Sequence, residues 1–365
     1  MLSSSVVSAL NELSVTFTLL PDDSLISRSY SILECIYVNL VGLLSAFLRL
    51  NYLKPCAYYL LSAHSTNTPA DKYLYDGYDG LLYAFFTPRR SNYLISSDLY
   101  SRASFQSLFL HRQSPALRVY RLLYYFRSIF IENIIYRTLF NKVFFVSYLD
   151  TLLYNRNRLA ILPYNGTRLP FTLDEREKQH LFLQKKVPSN DGIKVLFTGN
   201  YDQLTHFEFL LDCLSHLPIK PYPLSITIQS SVFSAQYLAL LDFHYPHLRV
   251  VGKVPDLDAH YSMFDFIVFT NRVTTGIQTK YLHAFRAGAL VLAPQSTAAD
   301  FGPELINNKN IILYDSYAHV YNLITDTYYS PSRFNSIRYH ALRFYENHHS
   351  FSNTRDFVRH HFLNL

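Results

Sequence analysis

Tryptophan is missing from this 365-residue chain, and cysteine is confined to Cys35, Cys56 and Cys213. The cysteines lie far apart and form no CxxC pair. Their odd number argues against a disulfide framework and favours a reducing compartment. Charged residues are few, 16% of the chain against 49% hydrophobic, which excludes wholesale disorder and leaves enough apolar side chains for a sizeable core. No internal repeat or low-complexity tract is present. Residues 1–10 lack the basic start of a secretory signal. The most apolar stretch, 35–48, falls short of the roughly 20 residues that span a bilayer, and Glu34, Asn39 and Arg49 at and within its edges point to a buried helix. No metal-ligand spacing is found. His348-His349 and His360-His361 are adjacent pairs in a terminal helix and point apart. The doublet Asp76-Gly77 and Asp79-Gly80 lacks the further acidic ligands of a calcium loop and reads as a turn. No nucleophile motif stands out.

What the chain does hold is aromatic: 31 Tyr and 28 Phe. Its net charge of +6 is uneven, with 16 Lys and Arg against 10 Asp and Glu in residues 1–168 and 17 of each in the remainder. A basic first half beside a neutral second half fits either an anionic partner or a solvated surface.

The first half mixes helices and strands. Residues 3–13 have helical spacing, and alternation around Val15, Phe17 and Leu19 reads as a strand ending at Pro21. Further strand candidates lie at 57–61, 80–84, 93–96, 142–146 and 160–162, the last closed by a turn at 163–166. A long helix over 118–137 carries Arg118, Arg121, Arg127 and Arg137 among Leu, Tyr, Phe and Ile residues. It is a candidate membrane-surface or acceptor-docking face, or else a buried helix with a charged rim. Residues 174–190 form the most polar stretch and read as a linker. Beyond them, strands at 194–198, 225–228, 248–251, 264–269, 289–293 and 310–314 alternate with helices at 207–217, 235–243, 258–263, 280–287 and 318–324. That spacing predicts a parallel sheet of Rossmann type, which binds ligands beyond the carboxyl ends of its strands.

Three stretches at such strand ends carry the candidate chemistry. Gly199-Asn200-Tyr201, with His206 further on, follows the first strand of the second half. Gly252-Lys253-Val254 follows the third. The richest is 275–293, which reads loop, Gly276, helix, Gly288, buried strand. A helix opening after Gly276 offers unpaired N–H groups and the positive end of its dipole to an anion. Lys280 in the first turn opposes that dipole, a conflict that a bound phosphate would remove, unless the side chain simply runs out to solvent.

The run GIQTKYLHAFRAGALVLA (276–293) resembles the donor-site motif of family 4 type retaining glycosyltransferases. KVLFTGNYDQLTHFEFL and VGKVPDLDAHYSMFDFIVF fit the same family in spacing. The resemblance implies an α/β fold of GT-B type, two Rossmann-like domains with parallel sheets facing a central cleft. The implied division is 1–173 for an acceptor-side domain lacking its first strand, 174–190 for the linker, 191–332 for the nucleotide-sugar domain, and 333–365 for a helical tail packing back on the first domain. The implied activity is transfer of a sugar from a nucleoside-diphosphate donor, with retention, to a sugar, lipid-linked or glycan acceptor. Neither metal nor cofactor is required, and nucleic acid is not a partner. Membrane contact through 118–137 and a cytoplasmic or membrane-associated location are expected.

Residue by residue, the resemblance sets Gly199, Asn200, Tyr201 and His206 across the cleft from the donor diphosphate. Lys253 and Val254 lie by the base. Gly276, Ile277, Gln278 and Thr279 open the helix toward the diphosphate, and Lys280 is its cation. The family's ribose-holding glutamate falls on His283. A carboxylate accepts two ribose hydroxyls whereas a neutral imidazole accepts one, so weakened donor binding is implied. The other acidic position falls near Thr275. On the first domain, Asp98, Ser101 and Arg102 occupy a candidate cleft-facing strand end, with Asp98 a candidate catalytic residue beside Lys280 and His283. His64 and His111 are loop histidines. Two rival readings accompany this one: a catalytically degenerate relative acting as a binding or assembly module, and a sugar-nucleotide epimerase, for which no catalytic acid pair is evident.

Overall fold

Strands that are buried on both faces need apolar residues at every position, and the second half of the chain supplies them. A computed structural model describes residues 16–19, 59–62, 72–76, 92–96, 101, 102, 105, 108, 115–156, 166–170, 192–201, 204–217, 224–231, 233–272 and 276–363. Here β7 (Ile193–Gly199), β8 (Leu224–Ser230), β9 (Arg249–Val251), β10 (Phe266–Val268), β11 (Leu290–Pro294) and β12 (Ile312–Tyr314) form one wholly parallel sheet in the order β12-β11-β10-β7-β8-β9. Successive residues of β7 enter opposite layers. Val195 and Phe197 join Ile228, Leu292 and Ile312 on one face, while Leu196 joins Ile267, Val291 and Phe285 on the other. The period-2 alternation of a strand therefore carries apolar residues to both faces. The chain steps outward from β7 to β9, returns to place β10 beside β7, and then steps the other way. The switch point between β7 and β10 is where a sheet of this kind opens a crevice at its carboxyl edge.

The first half folds as a mixed sheet, in the order β1 (Thr16–Leu19), β2 (Tyr59–Ser62), β3 (Lys72–Asp76), β4 (Asn92–Ser96), β5 (Lys142–Phe145), β6 (Gly166–Arg168). The strands from β3 to β6 pair in parallel, whereas β1–β2 and β2–β3 are antiparallel. Its parallel part carries a small core of Leu94, Tyr136, Phe140, Val143, Phe145 and Tyr154. Several expectations change here. The long helix starts earlier, at Pro115, and is interrupted: α1 (Pro115–Phe130) passes through a π-helical turn (Ile131–Ile135) into α2 (Tyr136–Leu139). β3 and α3 (Tyr148–Arg156) were not foreseen. Of the turn expected over 163–166 only Gly166 is described, and it opens β6; the Asn155 side-chain amide brackets it, donating to its carbonyl at 2.9 Å and accepting its N–H at 3.1 Å. The expected elements at 3–13, 35–48, 80–84 and 160–162, the linker 174–190, and His64, Asp98, His111 and Thr275 lie outside the described residues.

On the second sheet the helices are α4 (Leu204–Ser215), α5 (Ala235–His244), α6 (Leu257–Ser262), α7 (Thr279–Arg286), α8 (Gln295–Phe301), a 3₁₀ turn (Tyr317–His319) and α9 (Val320–Tyr328). The chain ends in α10 (Pro331–His349), α11 (Phe351–Val358) and a π-helical turn (Arg359–Leu363). This tail touches the first sheet. Thr354 Oγ1 donates to the Pro170 carbonyl at 2.9 Å, and Phe357 meets Phe144 edge-on at 5.3 Å. His361 stacks near both rings, with Nδ1 3.3 Å from Lys142 Nζ. Burial, then the Lys142 ammonium, then His360 press the His361 pKa down to about 4. The folded state therefore binds this proton less readily than the unfolded chain, whose histidines titrate near about 6.5. Tail docking should be intact above that pH and weaken as pH falls from about 6.5 toward 4. Proteolytic nicking of the tail should rise over that window in the native chain and rise less in His361→Phe, where His348, its pKa also lowered by burial, still titrates.

A buried ionic cluster joins the two halves. Arg102 donates to Asp150 Oδ1 at 2.8 Å and, from both terminal nitrogens, to the Asp300 carboxylate. Ser147 Oγ donates to Asp300 Oδ1 at 2.8 Å. All four are buried. Burial works against the Arg102 charge, but Asp300 and Asp150 outweigh it and hold the guanidinium charged. Beside them Arg168 donates to the Phe301 carbonyl at 2.9 Å. Arg102 is thus an interdomain ion-pair partner and not the open cleft residue its sequence position implied.

Candidate donor site

The first turn of α7 comes to the carboxyl end of β7, at the switch point between β7 and β10. Gly276, at φ 64, turns the chain into Ile277 and the N-cap Gln278. Gln278 makes no side-chain capping bond, and the first turn holds no acidic residue. A helix end without a side-chain cap and without an acidic first turn favours an anion through its dipole. At the other end Gly288, at φ 65, lets the Gly288 and Ala289 N–H groups fold back on the Phe285 and Ala284 carbonyls, the arrangement that stops a helix at a glycine. Between these stops Tyr281, Leu282, Ala284 and Phe285 are buried, Tyr281 stacked on Phe269. That leaves Lys280 and His283, three residues apart, on one partly open face.

Lys280 crosses the switch point. Its Nζ donates to the carbonyl of Gly199, the last residue of β7, at 2.8 Å. The uncapped helix end and the cation are therefore brought together at the carboxyl edge of the sheet. His283 lies one turn further along, against α6. Its Nδ1 is 2.6 Å from Asp258 Oδ1, and Arg286 Nη2 is 2.6 Å from Asp258 Oδ2. Burial pushes the Asp258 carboxyl up, but the His283 hydrogen bond and the Arg286 charge outweigh it and hold it below the usual carboxylate range. An ionised carboxylate can only accept, so the Nδ1 hydrogen points at Asp258 and Nε2 is the ring nitrogen left to face another partner.

The Gly252-Lys253-Val254 stretch leaves β9 beside the same edge, Lys253 exposed and Val254 half-buried. Gln229 Nε2 reaches the Gly252 carbonyl at 3.5 Å, and its Oε1 accepts from Thr198 Oγ1 at 2.7 Å. Thr198 is 3.1 Å from the Tyr261 hydroxyl, whose pKa burial pushes up to about 12. This buried chain of polar groups ties β7, β8 and α6 together beneath the crevice. Neither it nor Asp258 was singled out from the sequence.

The remaining residues separate. Asn200 and Thr279 are exposed, Ile277 and Gln278 half-buried, and His206, half-buried, sits with Nδ1 3.0 Å from the Asn200 carbonyl. Tyr201 is different. It is fully buried among β7, α4 and their neighbours, and its ring lies so close over Gly199 that a Cβ there would come within 2.6 Å of it. The close approach that Gly199 permits is taken by the Tyr201 ring, and that side chain belongs to the core. Among the described residues no group of His, Cys, Asp or Glu could hold a metal, and no helix is long and apolar enough to cross a membrane.

No family model matches the chain, and no curated protein matches it. Solved structures do. Sucrose-phosphate synthase (tll1590) from Thermosynechococcus elongatus is similar with a TM-score of 0.56 at 13% identity, over 92% of this chain and 82% of that one. Alr3699/HepE of Anabaena, solved in complex with UDP, gives 0.55 at 13% identity over 78% and 76%. TarM gives 0.52 at 10% identity over 85% and 67%. At these identities the likeness is one of fold. The fold is GT-B, two Rossmann-like domains of the kind glycosyltransferases use.

Proposed function

We propose that the chain is a glycosyltransferase that moves a sugar from a nucleoside-diphosphate donor to a sugar, lipid-linked or glycan acceptor, with retention at the anomeric carbon. The observation that carries this reading is the junction of Lys280 with the uncapped amino end of α7 at the switch point. A diphosphate leaving group gains negative charge as the glycosidic bond breaks, and a fixed ammonium beside oriented amides stabilises that charge without a metal. The Gly252–Val254 stretch takes the base. His283, between the phosphate end and that stretch, takes the ribose through Nε2.

UDP, GDP and their sugars form the direct test. One of them should raise the unfolding free energy by about 2.7 kcal/mol at roughly 100-fold above its Kd, and transfer or slow hydrolysis of the matching sugar donor should be detectable. If none of them stabilises the protein, the reading fails. The His283–Asp258 pair adds a sharper expectation. His283→Ala should weaken binding of the favoured nucleoside diphosphate by about tenfold, the loss of one hydrogen bond of roughly 1–1.5 kcal/mol. It should leave binding of the 2′,3′-dideoxy analogue unchanged. Equal losses for both ligands, read by calorimetry, would remove His283 from the ribose site. A donor-binding module without transfer is the second reading, favoured by the single ring nitrogen left at His283; it predicts binding with no turnover.

A further inference from the structure

Helix α1 has an unusual outer face. Its continuation buries the core rings Tyr136 and Phe140, and beside them α1 and that continuation bury the polar Ser128, Glu132, Asn133 and Arg137. Each has a hydrogen bond: Ser128 Oγ to the Tyr124 carbonyl, Asn133 Nδ2 to the Ile129 carbonyl, Arg137 to the Tyr154 carbonyl, and Glu132 from the Ser101 N–H. The opposite side presents Val119 (57% exposed), Leu122, Leu123 (64%), Phe126 (59%) and Phe130 to solvent. At 3.6 residues per turn these five fall within about 100° of one another, a single continuous stripe. Phe105, also exposed, packs its ring 5.5 Å from Tyr125 beside it. A water-facing helix normally does the reverse, and a contiguous apolar stripe of this extent marks a contact surface. The ordinary alternative, a buried helix with a charged rim, does not describe it.

The charge on the same element selects the partner. Between 115 and 130 the chain carries Arg118, Arg121 and Arg127 and no acidic residue, within a half of the chain that is itself basic. We propose that this face of α1 docks on an anionic lipid bilayer, the apolar stripe entering the interface and Arg118 and Arg127, on its two flanks, meeting the headgroups. A helix with a lengthwise apolar face and basic flanks lies in the plane of a membrane surface, which requires no spanning segment. The proposal stands on α1 alone and does not depend on the donor-site reading.

The test uses the full-length chain and sedimentation with vesicles of phosphatidylcholine, alone or containing phosphatidylglycerol. The native chain should bind the anionic vesicles more tightly, by about fivefold per engaged arginine and so by about 25-fold for Arg118 and Arg127 together. Leu123→Glu with Phe126→Glu should weaken binding to anionic vesicles more than tenfold while the unfolding temperature is unchanged, since both side chains already face solvent. Arg118→Glu, at another exposed position, should lower the preference for phosphatidylglycerol with the stripe intact. Absence of vesicle binding by the native chain overturns the proposal, as does equal binding by the double variant. A native dimer, seen by light scattering, that the double variant splits while neither protein binds vesicles would give the face to a second copy.

Discussion

Lys280→Ala should leave the protein folded and weaken nucleoside-diphosphate binding by about 10- to 150-fold, the worth of one charge-assisted hydrogen bond. Transfer should fall further, on the order of 10²- to 10³-fold, because the ammonium matters most where the leaving diphosphate carries its full charge. The expectation of an intact fold has its own reason. Lys280 is the second residue of α7, where a cation opposes the helix dipole. Its bond to the Gly199 carbonyl lies at the carboxyl edge of the sheet, and alanine gives up that bond while relieving the unfavourable dipole term. The informative comparison sets nucleotide-induced stabilisation of the native chain against that of the variant. If UDP and GDP stabilise both equally, the anion does not sit on α7, and the donor site must be sought elsewhere.

The parts of this molecule that the sequence makes legible are those in which one local rule is enough. The second sheet could be read because its central strands are buried on both faces and so appear as apolar runs such as 195–197 and 289–293. α7 could be bounded because Gly276 and Gly288 both take positive φ, and the glycine stop at 288 belongs to a local bonding pattern. Where a residue's role is set by a distant partner, the local rules have nothing to read. Asp258 meets His283 across 25 positions, and Arg102 meets Asp300 across 198. α8, with the sequence QSTAADF, has no apolar period because much of what it packs against is α3 of the other domain. Gly199 shows a subtler failure. The inference that something approaches its backbone closely was sound, but the occupant is Tyr201, and in a chain with 31 tyrosines nothing local separates a core ring from a ligand-facing one.

The same long-range logic makes Arg102 the residue whose loss should cost the fold most. Its guanidinium is the cation between two buried carboxylates, Asp150 from α3 and Asp300 from α8. Breaking a buried pair by removing one partner costs about 3–5 kcal/mol, because the other charge is left uncompensated. Arg102→Ala takes the guanidinium away from both carboxylates, while the Ser147 hydroxyl still donates to Asp300. With their counter-ion gone the carboxylates should titrate upward, so the folded variant binds protons more readily than its unfolded chain. Stability should then recover as pH falls from about 7 toward 5, the opposite of ordinary acid unfolding. Urea unfolding of the native chain and the variant across that range measures both effects, and a loss below about 1 kcal/mol at neutral pH would show that the cluster is not what joins the halves. Because Arg102 links the domains without lying on the donor crevice, the variant should also separate two functions that Lys280→Ala affects together. Nucleotide affinity should be retained, while transfer, which needs both domains in fixed relation, should fall.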